Sequence, residues 1–340
     1  MEFHNKPSIS DTSACFSAAF TLVSARPPDG YCIAQPFPAK LYIFELWMVF
    51  MLQETANAKI NLFLDVTGRR DDGYHELHSC MQTVGLCDTI SVEICTDTDE
   101  KTITLTCSDP TLPTNNRNLV WRAAEAYLSE AGIDNYRIHA HIEKRIPVFA
   151  GLGGGSADAA AMLRLLNRHF DGALPQEKLI SMAAKLGADV PFCLTGGTCR
   201  CDGIGDILTP VTGRPDYTVL IAKNGEGVST AEAFRLLDES FAAKPHEPHS
   251  CEDIYAALAS GNAHALKDSV YNAFEEVILP IRPLAQELKE IMNAYGAICT
   301  QMTGSGPSVF GIFLSDARAE VCASALRKKG VFAAVCRTVG

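Results

Sequence analysis

Four glycines occupy the five positions Gly151-Leu152-Gly153-Gly154-Gly155, and Ser156-Ala157-Asp158-Ala159-Ala160 follows at once. Glycine lets the backbone enter left-handed turns and lets it approach a ligand closely. The alanine- and leucine-rich stretch behind it predicts a helix opening at Ser156. The unpaired N–H groups and positive dipole end of that helix would make an anion site, best suited to phosphate. The run is not a Walker A loop, which needs Gly-Lys-Ser/Thr, and Gly-Lys occurs nowhere in the chain. A dinucleotide fingerprint would need glycine where Ser156 stands, for close helix packing. Asp171 lies at about the right distance for a ribose contact, but in an Asp-Gly-Ala-Leu-Pro loop rather than at a strand end. A glycine turn with no ligand is the weaker reading, because a well-formed helix follows directly.

The rest of the chain reads as α+β. Thr89–Ile94, Thr102–Cys107 and Arg137–Ile142 alternate as half-buried strands do. Asn118 is placed to cap a helix that runs to about Ala131 and stops at Gly132. Leu179, Met182, Ala183 and Leu186 form a helical stripe ended by Gly187. In the second half, strands are expected at 217–222, 308–314 and 331–336. Helices are expected at 231–238, 251–259, 281–295 and 316–329. Antiparallel-looking strands mixed with helices favour α+β over a doubly wound sheet. The Thr209–Pro215 stretch is a plausible boundary between a domain at 51–210 and one at 211–340. Residues 1–50 carry Pro27-Pro28, Pro36 and Pro38 without periodicity. They are expected to be a disordered leader, with Met51 the effective start.

A net charge of −11 argues against a nucleic-acid partner, which would call for a basic face. No apolar run is long enough to span a membrane; Leu41–Leu52 is about core-helix length and includes Glu45. The 13 cysteines include no CxxC pair, and Cys199 and Cys201 on a strand read as buried free thiols. A cytoplasmic protein is the expectation. Nothing in the sequence speaks to oligomeric state.

Three further segments carry chemistry. Lys59 and Asn61 stand two apart in Ala58-Lys59-Ile60-Asn61-Leu62, so on a strand they share a face. Asp189 lies in Leu186-Gly187-Ala188-Asp189-Val190-Pro191, an acid among apolar residues just past a helix end. Each alone has a bland alternative: an exposed edge lysine and a turn or cap residue. Thr303-Gly304-Ser305-Gly306-Pro307-Ser308 reads as a tight turn that could support a phosphate loop or simply reverse the chain.

Two glycine-rich loops, a lysine strand and a Gly-Ala-Asp-Val-Pro segment, in this order, resemble the GHMP kinase superfamily. The likeness runs from about Met51 to the C-terminus. Its most specific part is Ala58–Leu62 together with Arg70-Asp71-Asp72-Gly73-Tyr74-His75-Glu76-Leu77. Kinases of this superfamily for homoserine, mevalonate or galactose lack the Gly-Tyr-His element. The resemblance implies a two-domain α+β fold with the active site in the cleft between domains. It implies a small-molecule substrate carrying cytidine diphosphate on a methylerythritol, with ATP as phosphoryl donor and magnesium on its phosphates. Asp189 matches the catalytic base and Lys59 the lysine beside it. Pro147, Gly151, Leu152, Gly153, Gly154, Gly155, Ser156 and Ala157 match the phosphate loop, and Asn118 and Lys144 match nucleotide contacts. Ser156 is the candidate magnesium ligand. Tyr74 and Phe234 match a pair holding the cytosine from both faces. His75 matches a residue bonding the base edge, and Asn61 and Thr230 match contacts to the polyol. Residues 303–308 match a loop bracing the phosphate loop. The alternatives are another GHMP small-molecule kinase, for homoserine or a sugar, and a non-catalytic ATP-binding relative.

Overall fold

The computed structural model describes residues 51–211, 216–225 and 227–340. The leader expected over residues 1–50 lies outside them, as does most of the expected boundary segment, residues 212–215.

Strands β1 (Leu52–Arg69) and β2 (His75–Cys95) pair antiparallel across a tight turn. Periodicity reveals only the far end of β2. The reason is burial: every residue from Ala58 to Val66 is buried, so the alternation of a half-exposed strand is erased. β3 (Lys101–Cys107) and β4 (Tyr136–Glu143) extend the sheet beyond β2, with β3 and β4 parallel to each other. β5 (Thr198–Asp202) pairs with β2 and β6 (Ile207–Pro210) pairs with β5. The far edge is a two-residue strand, Tyr271–Asn272, parallel to Phe63 and Leu64 of β1.

Helices α1 (Leu119–Glu130), α2 (Gly154–His169) and α3 (Gln176–Leu186) build the core over this sheet. Tyr127, Leu128, Leu163, Leu166 and Leu179 pack there with Ile90, Ile138 and Ile142. Asn118 caps α1 as expected, its side chain accepting the Val120 N–H at 2.9 Å, and the helix closes at Ala131 before the left-handed Gly132. A short helix α4 (Val190–Thr195) follows α3.

A second, fully antiparallel sheet holds Phe332–Arg337, Thr218–Lys223, Val309–Phe313 and Cys299–Met302 in that order. Helices Pro283–Ala294 and Asp316–Lys328 supply Leu288, Met292, Cys322 and Leu326 to its core. The first of these starts at Pro283, two residues later than expected, because Leu279–Ile281 forms a separate 3-10 turn. Helix α5 (Thr230–Ala243) projects toward β1 and adds Ala233 and Leu237 to a core shared with Leu64 and Val66. The architecture is α+β. Every cysteine among the described residues is a free thiol, and no described helix is long and apolar enough to cross a membrane.

Candidate active site

The pairing of β1 with β2 slips at Asn57/Lys59 and again at Asn61/Phe63. Bulges of this kind re-aim side chains and are common beside active sites. Between the two slips, Lys59 and Asn61 share a face as their spacing predicts, and Lys59 Nζ donates to Asn61 Oδ1 at 2.8 Å. Lys59 is only 4% exposed, which removes the edge-lysine alternative.

Both glycine loops fasten onto this short stretch. The Lys59 N–H donates to Leu152 O at 3.0 Å. The Asn61 N–H donates to Thr303 Oγ1 at 3.0 Å, and Asn61 Oδ1 accepts the Gly304 N–H at 3.1 Å. The loops also meet each other. A Cβ on Gly151, whose φ is +72°, would stand 2.2 Å from Thr303 O, and one on Gly304 would stand 2.8 Å from Gly151 O. Backbone cannot yield as a flexible side chain does, so these contacts demand glycine. The 303–308 turn therefore touches the first loop directly. Asn61 spends its amide inside the protein, since Nδ2 donates to Ser79 Oγ at 2.9 Å.

Helix α2 begins at Gly154, two residues before the expected start at Ser156. Gly154 and Gly155 adopt helical geometry, and the left-handed Gly153 ends the loop with no side-chain cap. The first helical bond runs from the Ala157 N–H to Gly153 O at 2.8 Å. The N–H groups of Gly154, Gly155 and Ser156 thus have no partner within the helix. Ala157 is buried and its N–H is taken, so it does not reach the cavity that the other loop residues line.

Asp189 stands just before α4 but makes no capping bond. Its Oδ2 lies 3.5 Å from Lys59 Nζ, and its side chain is 32% exposed rather than buried among apolar neighbours. A Cβ on Gly153 would lie 3.8 Å from Asp189 Oδ2. The acid, the lysine and the helix start thus converge on one spot.

Lys144 is held differently. Its ammonium sits between Asp88 and Asp158, 2.7 Å from Asp158 Oδ2, and all three side chains are buried. Burial acts to lower the Lys144 pKa, but the two carboxylates outweigh it and raise it. Burial pushes the Asp158 carboxyl up to about 7, with Lys144 opposing and Asp88 reinforcing. Neither aspartate was marked by the sequence. Asp158 had a usable signal: an acid one turn into an otherwise alanine-rich helix.

At the other end of the cavity, His75 lies parallel to Phe234, ring centroids 4.3 Å apart. Asp238 Oδ1 holds His75 Nε2 at 2.7 Å, and Phe274 meets Phe234 edge-on at 5.0 Å. Tyr74 follows the Asp72-Gly73 turn as expected and is 60% exposed, with no ring partner among the described residues. The parallel partner of Phe234 is therefore His75 rather than a gap facing Tyr74. Thr230, Phe234 and Asp238 share one stripe of α5, so the i, i+4, i+8 spacing could have found Asp238.

The cavity has a volume of about 1240 Å³. Lys59, Asn61, Tyr74, His75, Asn118, Lys144, Pro147, the loop from Gly151 to Ser156, Asp189, Thr230 and Phe234 all line it. Asn118 lines it with its amide occupied, capping α1 and donating to Pro113 O at 2.8 Å.

Residues 118–197 match the GHMP kinases N terminal domain and residues 254–331 the GHMP kinases C terminal domain. The 4-diphosphocytidyl-2-C-methyl-D-erythritol kinase of Caldicellulosiruptor saccharolyticus is 43% identical over 76% of this chain and 87% of that protein. The enzyme of the same name from Desulfitobacterium hafniense is 42% identical over 84% of this chain and 94% of its own length. A crystal structure of 4-(cytidine 5'-diphospho)-2C-methyl-D-erythritol kinase superposes with a TM-score of 0.71 at 32% identity, covering 85% of this chain and all of that one. The chain belongs to the GHMP kinases and, within them, to the 4-diphosphocytidyl-2-C-methyl-D-erythritol kinases.

Proposed function

We propose that the protein transfers the γ-phosphoryl group of ATP to the 2-hydroxyl of 4-diphosphocytidyl-2-C-methyl-D-erythritol, giving ADP and the 2-phosphate, a step in isoprenoid precursor synthesis. The observation that carries this reading is the Lys59–Asp189 pair at 3.5 Å, set against the open start of α2. Phosphoryl transfer depends on positioning and on neutralising charge at the transferring oxygens. The N–H groups of Gly154, Gly155 and Ser156 supply donors and the positive helix end. Asp189, half-buried and paired only with Lys59 among the described residues, takes the proton of the attacking hydroxyl. Lys59, fixed by Asn61, stabilises the charge that develops there.

Magnesium fits this site. The Ser156 hydroxyl has no hydrogen-bond partner among the described residues and stands at the helix start, and magnesium commonly takes one or two protein oxygens with phosphates and water. Bound there, it would neutralise phosphate charge. At the far end, Tyr74 closes over one face of the cytosine while the Phe234–His75 stack backs the other. Thr230, whose Oγ1 lies 3.3 Å from Ser305 Oγ, contacts the polyol. The free thiols support a reducing, cytoplasmic setting.

The test is ADP release with a panel of acceptors: the cytidyl methylerythritol, homoserine, mevalonate and galactose. Turnover should require the cytidyl acceptor. Comparable turnover of any other acceptor, or none at all, would sink the proposal.

A further inference from the structure

Asp65, on β1 four residues beyond Asn61, is fully buried. Among the described residues no lysine or arginine pairs with it; its ionic partners are His246 and His249. His246 Nε2 lies 2.7 Å from Asp65 Oδ1, and His249 Nδ1 lies 3.9 Å from Oδ2. The His249 N–H also donates to Oδ2 at 2.7 Å. A buried carboxylate facing two imidazoles needs a balancing positive charge, which either a proton on a ring or a metal ion can supply.

We propose that Asp65, His246 and His249 form a binding site for zinc or a similar first-row divalent ion, apart from the kinase cavity. The three ligand atoms all lie within 4.8 Å of one another. Tetrahedral ligands at zinc bond lengths would stand about 3.4 Å apart. The 2.7 Å contact is to Oδ1 and the 3.9 Å contact to Oδ2, so seating the ion needs the carboxylate and the rings to adjust until one oxygen and both nitrogens, now within 4.8 Å, reach that spacing. Both rings are already oriented: His246 stacks on Phe241 at 4.4 Å and His249 on Tyr271 at 4.0 Å. The Tyr271 hydroxyl is buried without a hydrogen-bond partner, and after burial itself the charge of Asp65 is the largest influence raising its pKa. It is thus an unspent oxygen near the same carboxylate. His249 is half exposed, which leaves solvent a path to the remaining position. Two imidazoles and one carboxylate suit zinc, cobalt or nickel rather than magnesium, which prefers oxygen. The ion would displace the proton shared by Asp65 and His246 and clip the 244–250 segment, which follows α5, onto β1.

The experiment titrates zinc into the chelator-stripped full chain against a colorimetric competitor, with cobalt as a spectroscopic probe. One tight equivalent is expected, retained in excess magnesium, with a cobalt spectrum free of thiolate charge transfer. His246→Ala and His249→Ala should each weaken binding by about 100-fold, since even outer-shell losses cost 10–100-fold. Equal affinity in wild type and the His249→Ala variant, whose ring is half exposed and whose fold should survive, would overturn the site. So would a thiolate spectrum in wild type, or the absence of a stoichiometric equivalent.

Discussion

Lys59 and Lys144 each meet aspartate along the wall of one cavity, and their surroundings set them to different work. Lys59 faces a single carboxylate, Asp189, at 3.5 Å, and that carboxylate is 32% exposed with no other partner among the described residues. Lys144 faces two, Asp88 and Asp158, both shut away from water. Asp88 is further tied to the chain by the Ile146 N–H at 2.8 Å. A partly exposed, underused carboxylate can exchange a proton with a substrate. One buried against a lysine can only hold its neighbours in place. Residue type is shared; burial and the number of partners separate the pair proposed to react from the one proposed to brace.

The largest expected effect tests the first half of that contrast. Asp189→Asn should lower kcat by about 10²–10⁴-fold, as losing a general base does, with the melting temperature nearly unchanged. Near-native turnover would remove Asp189 from the chemistry. The second half predicts damage of another kind. Lys144→Met leaves two buried carboxylates without their cation and should destabilise the fold by about 3–5 kcal/mol in urea unfolding. A stable Lys144→Met protein that has lost only ATP affinity would make Lys144 a nucleotide contact rather than a brace.

The cytidine end should respond more mildly. Tyr74→Ala, at an exposed ring with no ring partner among the described residues, should raise KM for the cytidyl substrate by about 5- to 150-fold, the equivalent of 1–3 kcal/mol of base stacking. KM for ATP and the melting temperature should stay put. Phe234→Ala removes a ring that backs His75 and touches Phe274, so it should also lower the melting temperature. If the two variants behave alike, the division between base contact and backing ring is wrong.

The smallest effect is the pH dependence of the triad. Burial raises the Asp158 carboxyl from 3.8 to about 7. The stability tied to its protonated form is therefore fully present below about pH 4 and is lost as pH rises through about 7. Asp158→Asn, which keeps Lys144 paired with Asp88 and mimics the protonated acid, should compare better with wild type at pH 8 than at pH 5. An unchanged difference in melting temperature across that range would mean that Asp158 stays charged.

The glycine run, the Lys59/Asn61 spacing, the Asn118 cap and the paired glycine loops were all legible in the chain, because each is a local rule with a residue-level signature. The long strand β1 was not, since burial on both faces removes alternation. The start of α2 was misplaced because glycines disfavour helices in isolation, yet here two of them open one.

By itself the sequence determined the class of chemistry: glycines where the backbone must turn and touch, a lysine and an acid of the right kind, and an aromatic–histidine element after a turn. Only the tertiary structure decided how each charge is spent. Lys59, Lys144, Asp88, Asp158 and Asp189 are alike as letters, and Phe234 gives no hint that His75 will lie against it. Those outcomes depend on which groups distant segments bring together and how much water they leave there, since the strength of a charge interaction is set by its surroundings.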